Sequence, residues 1–167
     1  MSGPSRRTVD NPHQGWRVAA PSSIIAPPAI PHDSMRRVPA SVIGTGFVLY
    51  VEDNDDLREL VVELVTAVLK HRCVGEGSYE ELVGLGDEAL GCSIAILDIN
   101  LGPNQPSGID AYRWLRDKGY RGRIVFLTGH ARTHPLVIEA KRIGDAEIFS
   151  KPIEPDRLRS IVEGVRQ

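Results

Sequence analysis

Glu52-Asp53, Asp98, Thr128 and Lys151-Pro152 each end, or closely follow, a short apolar run, and their side-chain types suit one chemistry. Three carboxylates brought together repel one another and stay ionised only if a cation offsets the charge, so Glu52, Asp53 and Asp98 form a hard-oxygen set suited to Mg²⁺. A carboxylate can itself accept a phosphoryl group as an aspartyl phosphate. Mg²⁺ and a lysine would then stabilise the charge spread over the phosphoryl oxygens, and a threonine hydroxyl can donate to one of them. Each residue also has a bland use. Asp98 could cap a helix or be solvated, Glu52-Asp53 could be an acidic turn, Thr128 could cap a turn and Lys151 could be surface charge.

The elements that must position these groups are legible. The runs are Phe47-Val48-Leu49-Tyr50-Val51, Ile94-Ala95-Ile96-Leu97, Ile124-Val125-Phe126-Leu127 and Ile148-Phe149-Ser150, with a shorter one near Cys73-Val74. Continuous apolar strands suit a parallel sheet covered on both faces. Between them, Asn54 can cap a helix with Asp55 and Asp56 in its first turn and an apolar stripe at Leu57, Leu60, Val61, Leu64 and Val68, leaving Arg58, Glu59 and Glu63 to water. Ser78-Tyr79-Glu80-Glu81 opens a second helix to about Ala89. Gly108 leads a third with Ile109, Tyr112 and Leu115 on one face, Pro135 starts a fourth that ends before Gly144, and Pro155 starts a fifth. The result is an α/β chain of five βα units, in which ligands bind outside the carboxyl ends of the strands.

With 167 residues, 41% of them hydrophobic, the chain holds one domain and some excess. The excess is residues 1–45, with seven of the twelve prolines and five Arg against two Asp, read as a disordered Pro-rich N-terminal extension. Trp16 and Ile24-Ile25-Ala26-Pro27-Pro28 offer it a docking use, and Met35 offers an alternative start that N-terminal sequencing would decide. Residues 46–167 keep 15 basic and 20 acidic side chains, a net charge of −5, which argues against direct nucleic-acid binding. No apolar run approaches the roughly 20 residues of a membrane span. Cys73 and Cys92 match no metal or disulfide framework, and a cytoplasmic protein with no membrane contact is expected. His13, His32, His71 and His134 show no ligand spacing, which argues against zinc.

Val51-Glu52-Asp53-Asn54, Leu97-Asp98-Ile99-Asn100, Leu127-Thr128-Gly129-His130 and Ser150-Lys151-Pro152 resemble, in order, the motifs of response-regulator receiver domains of two-component signalling. The resemblance covers residues 46–167. It implies a flavodoxin-like (βα)5 doubly wound sheet of strand order 2-1-3-4-5, with Asp98 phosphorylated by a sensor histidine kinase or histidine phosphotransfer protein. It implies direct metal ligation by Asp53 and Asp98, a water-mediated role for Glu52, a backbone carbonyl from Asn100 completing the Mg²⁺ site, phosphoryl contacts from Thr128 and Lys151, and a cis Lys151-Pro152 bond. Asn100 and His130, flanking the route for water, are implied to tune the lifetime of the phosphoaspartate.

Three departures accompany the resemblance. Ile148 stands where members usually carry a switching Tyr or Phe, and Phe149 cannot replace it because adjacent strand residues point to opposite faces. Output is therefore expected to depend on movement of the fourth helix or on phosphorylation-dependent dimerisation. The loop after Asp98 has Gly102 where proline is common and about two extra residues before Gly108. No second folded domain follows the last helix, so the expected output is an as yet unknown protein, reached by protein-protein interaction, and the chain is expected to be no enzyme. Two rivals stand beside this reading. A phosphorylation-independent pseudo-receiver is favoured by Ile148 and opposed by the acidic set, whereas a haloacid-dehalogenase-like phosphatase would want Asp where Asn100 stands.

Overall fold

Five parallel strands form one sheet in the order β2-β1-β3-β4-β5: β1 Val48–Val51, β2 Cys73–Glu76, β3 Ile94–Asp98, β4 Arg123–Thr128 and β5 Glu147–Ser150. This is the implied order. The computed structural model describes residues 46–164; the expectation for residues 1–45 lies outside them. Helices α1 Asp55–Glu63, α2 Tyr79–Gly84, α3 Gly108–Asp117, α4 Pro135–Ile143 and α5 Pro155–Val162 cover both faces.

Strand residues alternate between two core layers, as a period of two requires. Leu49, Val51, Ala95, Leu97, Ile124 and Phe126 pack against Leu82 of α2, Ile109 and Leu115 of α3, and Val137 of α4. Val48, Tyr50, Ile94, Ile96, Val125 and Leu127 pack against Val61 of α1, Val65, and Leu158 and Ile161 of α5. Ile148 and Phe149 follow the same rule, the first lying against the α3/α4 layer and the second against the α1/α5 layer.

The caps read from sequence form. Asn54 accepts from the Leu57 amide at 2.9 Å, Ser78 caps α2, and Gly144 ends α4 with φ 79°. Ser107 and Asp110 add a reciprocal capping box at the start of α3.

Two helices depart from the sequence pattern. Positive φ at Gly86 (55°) breaks the second helix, which stops at Gly84 and resumes as a 3₁₀ segment, Gly86–Gly91, instead of running on to Ala89. After Glu63 the first helix continues as a π turn, Leu64–Val68, closed by the Leu69 amide on the Leu64 carbonyl at 3.0 Å. The wider turn shifts the helical register. Val61 and Val65 are buried, and Val68, within that turn, is 55% exposed; Leu60, ahead of the turn and also expected in the apolar stripe, is 54% exposed.

Gly108 fixes the distance between α3 and β3. Its amide donates to the Ile99 carbonyl at 3.0 Å, and a Cβ there would lie 1.9 Å from the Asp98 carbonyl oxygen. Gly108→Ala is therefore expected to destabilise the fold by about 2–3 kcal/mol through overpacking against backbone. Urea unfolding with an unchanged slope and a lowered midpoint would register it; an unchanged midpoint would show that the loop ahead of α3 gives way.

Candidate functional site

Glu52 follows β1, Asp98 ends β3, Thr128 ends β4 and Lys151 follows β5, so parallel pairing brings all four to the carboxyl edge of the sheet. Alternation then sorts them by face. Asp98 has the parity of Ile96, on the α1/α5 side, whereas Thr128 has the parity of Phe126, on the α3/α4 side.

The structure joins Glu52, Asp98 and Lys151 directly. The Lys151 ammonium donates to Glu52 Oε2 at 2.5 Å and to Asp98 Oδ2 at 2.6 Å. Glu52 is 1% and Asp98 6% exposed. Burial pushes the Asp98 carboxyl above the ordinary carboxylate range; the Lys151 hydrogen bond and charge oppose the rise, and the Glu52 charge adds to it. The Asn100 amide donates to Asp98 Oδ1 at 3.3 Å. The Lys151-Pro152 bond is cis, and the Lys151 amide donates to the Thr128 carbonyl at 2.8 Å, which ties the loop after β5 to β4.

Asp53, by contrast, is exposed, yet one oxygen from each of Glu52, Asp53 and Asp98 lies within 4.8 Å of the others. Three hard oxygen donors at that spacing, beside an open cleft of about 460 Å³ that Asn100 and His130 also line, fit a small divalent cation. A larger cleft of about 710 Å³ lies near the opposite ends of β4 and β5. There the acidic residues Asp145 and Glu147 are paired with Arg116 and Arg123.

Thr128 is buried, and its hydroxyl accepts from the His130 amide at 3.0 Å, the turn-capping use open to it from the sequence. His130 stacks on His134, with ring centroids 3.9 Å apart, and the His134 side chain accepts from the Leu136 amide at the start of α4.

Two supporting residues escaped the sequence pattern. Arg58, expected to face water, folds back to donate to the Glu52 carbonyl at 2.8 Å and to Asp55 at 2.5 Å, with its stem beside Gly75. A β-carbon at Gly75 would press on it, so the glycine in β2 was a usable signal. Tyr50 is fully buried and donates to Glu52 Oε2 at 2.7 Å. Burial, with the Glu52 charge and hydrogen bond adding to it, pushes the phenol far above its ordinary value and keeps it a donor. The signal was a hydroxyl inside an aliphatic strand, since buried tyrosine seeks a partner.

The sequence model of the family described as response regulator receiver domain matches residues 48–163. The chain is 30% identical over 114 residues to the response regulator protein TodT of Pseudomonas putida, covering 66% of this chain and 47% of that protein. It is likewise 30% identical over 113 residues to the response regulator protein TmoT of Ectopseudomonas mendocina, covering 66% and 49%. The chain thus spans about half the length of these curated relatives. Among solved structures, the receiver domain of NtrX from Brucella abortus superposes with a TM-score of 0.60 at 24% identity, over 70% of this chain and 95% of that one. The chemotaxis protein CheY4 of Vibrio cholerae gives 0.59 at 21%, over 73% and 99%. Those two likenesses speak to fold, and the sequence match speaks to descent. Since the matched span contains every strand and every residue of the acidic cleft, the chain belongs to the response-regulator receiver-domain family of two-component signalling.

Proposed function

We propose that Asp98 is the phosphoacceptor of a signalling protein that takes its phosphoryl group from a sensor histidine kinase or histidine phosphotransfer protein. The observation that carries the reading is the Lys151 ammonium held between Glu52 Oε2 and Asp98 Oδ2 at the mouth of an acidic cleft. Such a cation can stay with Asp98 while one carboxylate oxygen bonds to phosphorus and the P–N bond of the phosphohistidine donor breaks. The departing imidazole keeps the electron pair of that bond. Lys151 and, after turning from the His130 amide toward the cleft, the Thr128 hydroxyl would meet oxygens of the transferred group. Asp53 and Asp98 would hold Mg²⁺ directly, with Glu52 beside them and Asn100 contributing its backbone carbonyl. When bound, the ion offsets charge on the phosphoryl oxygens.

Return to the resting state is hydrolysis of the acyl phosphate, in which His130 and Asn100 line the cleft through which water arrives. Output runs through binding of a protein partner or of a second phosphorylated copy. Ile148 lies in the α3/α4 layer with no ring to swing, which favours movement of α4 as the readout. The setting is cytoplasmic, where free thiols such as Cys73 and Cys92 persist. Among the described residues no helix is long and apolar enough to cross a membrane.

Incubation with Mg²⁺ and acetyl phosphate tests this. The expected product is a single phosphoryl adduct in intact mass, labile to hydroxylamine and absent with a chelator. A folded protein that stays unmodified would overturn the reading and leave a phosphorylation-independent interaction module.

A further inference from the structure

We propose that Tyr50 is a positioning residue for the phosphoryl site, its hydroxyl fixing the Glu52 carboxylate on which Lys151 rests and so setting how the ammonium is shared between Glu52 and Asp98. The inference rests on the assignment of Asp98 as phosphoacceptor.

Glu52 Oε2 accepts two hydrogen bonds, from Tyr50 Oη at 2.7 Å and from Lys151 Nζ at 2.5 Å. The second bond of the same ammonium goes to Asp98 Oδ2 at 2.6 Å. Tyr50, Glu52, Lys151 and Asp98 therefore form one linear chain, in which Tyr50 touches neither Asp98 nor Lys151 by a hydrogen bond. Tyr50 and Glu52 are two residues apart and lie on one side of the sheet. Tyr50 belongs to the buried layer that includes Val61, Val65, Leu127 and Leu158 and has no exposed surface, so the hydroxyl is delivered to Glu52 by a side chain shielded from solvent.

What the hydroxyl does follows from competition for the ammonium. Glu52 Oε2 has no other hydrogen-bond partner among the described residues, so without Tyr50 its orientation depends on Lys151 alone. A loosened Glu52 gives up its part of the ammonium, and Lys151 settles on Asp98. An oxygen so held is a poorer nucleophile, and the cation is displaced from the position where the phosphoryl oxygens arrive. A fixed Glu52 keeps Lys151 close to Asp98 without surrendering it.

The test is a double-mutant cycle with a second readout that needs no phosphorylation. Adduct formation from acetyl phosphate with saturating Mg²⁺ is timed for the natural chain, Tyr50→Phe, Glu52→Gln and the double variant, and the Lys151 ammonium is followed by ¹⁵N NMR. Tyr50→Phe keeps the ring and is expected to slow adduct formation about tenfold, the order of one hydrogen bond to a charged acceptor. It should shift the Lys151 signal while core methyl signals stay in place. In the Glu52→Gln background the same change should alter the rate less than about twofold, since coupled residues are not additive. A natural rate for Tyr50→Phe, or a tenfold loss that persists without Glu52, would overturn the proposal and leave Tyr50 a packing residue. If Tyr50→Phe fails to fold, Glu52→Gln alone must slow adduct formation and displace the Lys151 signal, and an unmoved signal ends the idea. Should the natural chain form no adduct, the Asp98 assignment falls, and the Lys151 signal in Tyr50→Phe alone decides the positioning role.

Discussion

Asp98→Asn is expected to abolish the hydroxylamine-labile adduct and, in the same protein, to raise the melting temperature at pH 7 by about 3–5 °C, the shift that roughly 1 kcal/mol produces in a domain of this size. The first half follows from the chemistry, because an amide oxygen does not form a stable acyl phosphate. The second follows from electrostatics. Asp98 is buried next to Glu52, and burial holds its carboxyl above the ordinary range. As pH rises through the ordinary carboxylate range, the unfolded chain releases the Asp98 proton before the folded chain does. Stability attached to this group is thus fully present in acid and lost as pH climbs through the raised folded value. Asparagine removes that loss and still offers an oxygen to Lys151. The difference in melting temperature between the two proteins should shrink below about pH 4, where both forms of residue 98 are neutral. Equal melting at pH 7 would mean that Lys151 fully compensates the buried carboxylate; an adduct surviving in Asp98→Asn would place the acceptor elsewhere.

Lys151→Ala should slow adduct formation by about a hundredfold, the order found when one preorganised donor to a developing anion is removed. It should also destabilise the fold at neutral pH by about 3 kcal/mol, because Glu52 and Asp98 would be left as adjoining buried carboxylates with no cation between them. The two effects separate with pH. In mild acid one of the two carboxyls can take up a proton and recover stability, but nothing restores the missing ammonium to the phosphoryl group. Single-turnover labelling and urea unfolding at two pH values would read each part. A natural labelling rate would return Lys151 to a surface charge.

Strand ends were the most legible feature of this sequence. Short runs leading into Asp98, Thr128 and Lys151 fix both the strands and the edge on which their polar residues lie, and period two separates Ile148 from Phe149 with no further information. Helix termini were nearly as plain, since Asn54, Ser78, Pro135 and Gly144 each carry a local reason to start or stop. The stripe on the first helix was less so. Val68 satisfies a 3.6-residue period, but the π turn Leu64–Val68 breaks that period by hydrogen bonding that no side-chain pattern announces, and Leu60, in the regular helix ahead of that turn, sits at the exposed edge of the stripe. Arg58 was misplaced for a related reason, because periodicity assigns a long cation to water and says nothing of a carbonyl within reach of its guanidinium. Within the site, residue types identified the carboxylates and lysine, whereas the order Tyr50 to Glu52 to Lys151 to Asp98 depends on rotamers and required coordinates.

The contact at Gly108 has a mechanical consequence. On the α3 side the main chain of Asp98 abuts a helix with no space for even one carbon atom, so that side acts as a fixed wall. On the β4 side the neighbours are held by single hydrogen bonds, Thr128 to the His130 amide and His134 to the Leu136 amide, with two stacked imidazoles between them. The main chain that carries Asp98 thus cannot retreat toward α3, and displacement that accompanies a group added to its side chain falls to the softer β4 side. The direction of any response is set by a missing β-carbon before any switch residue acts.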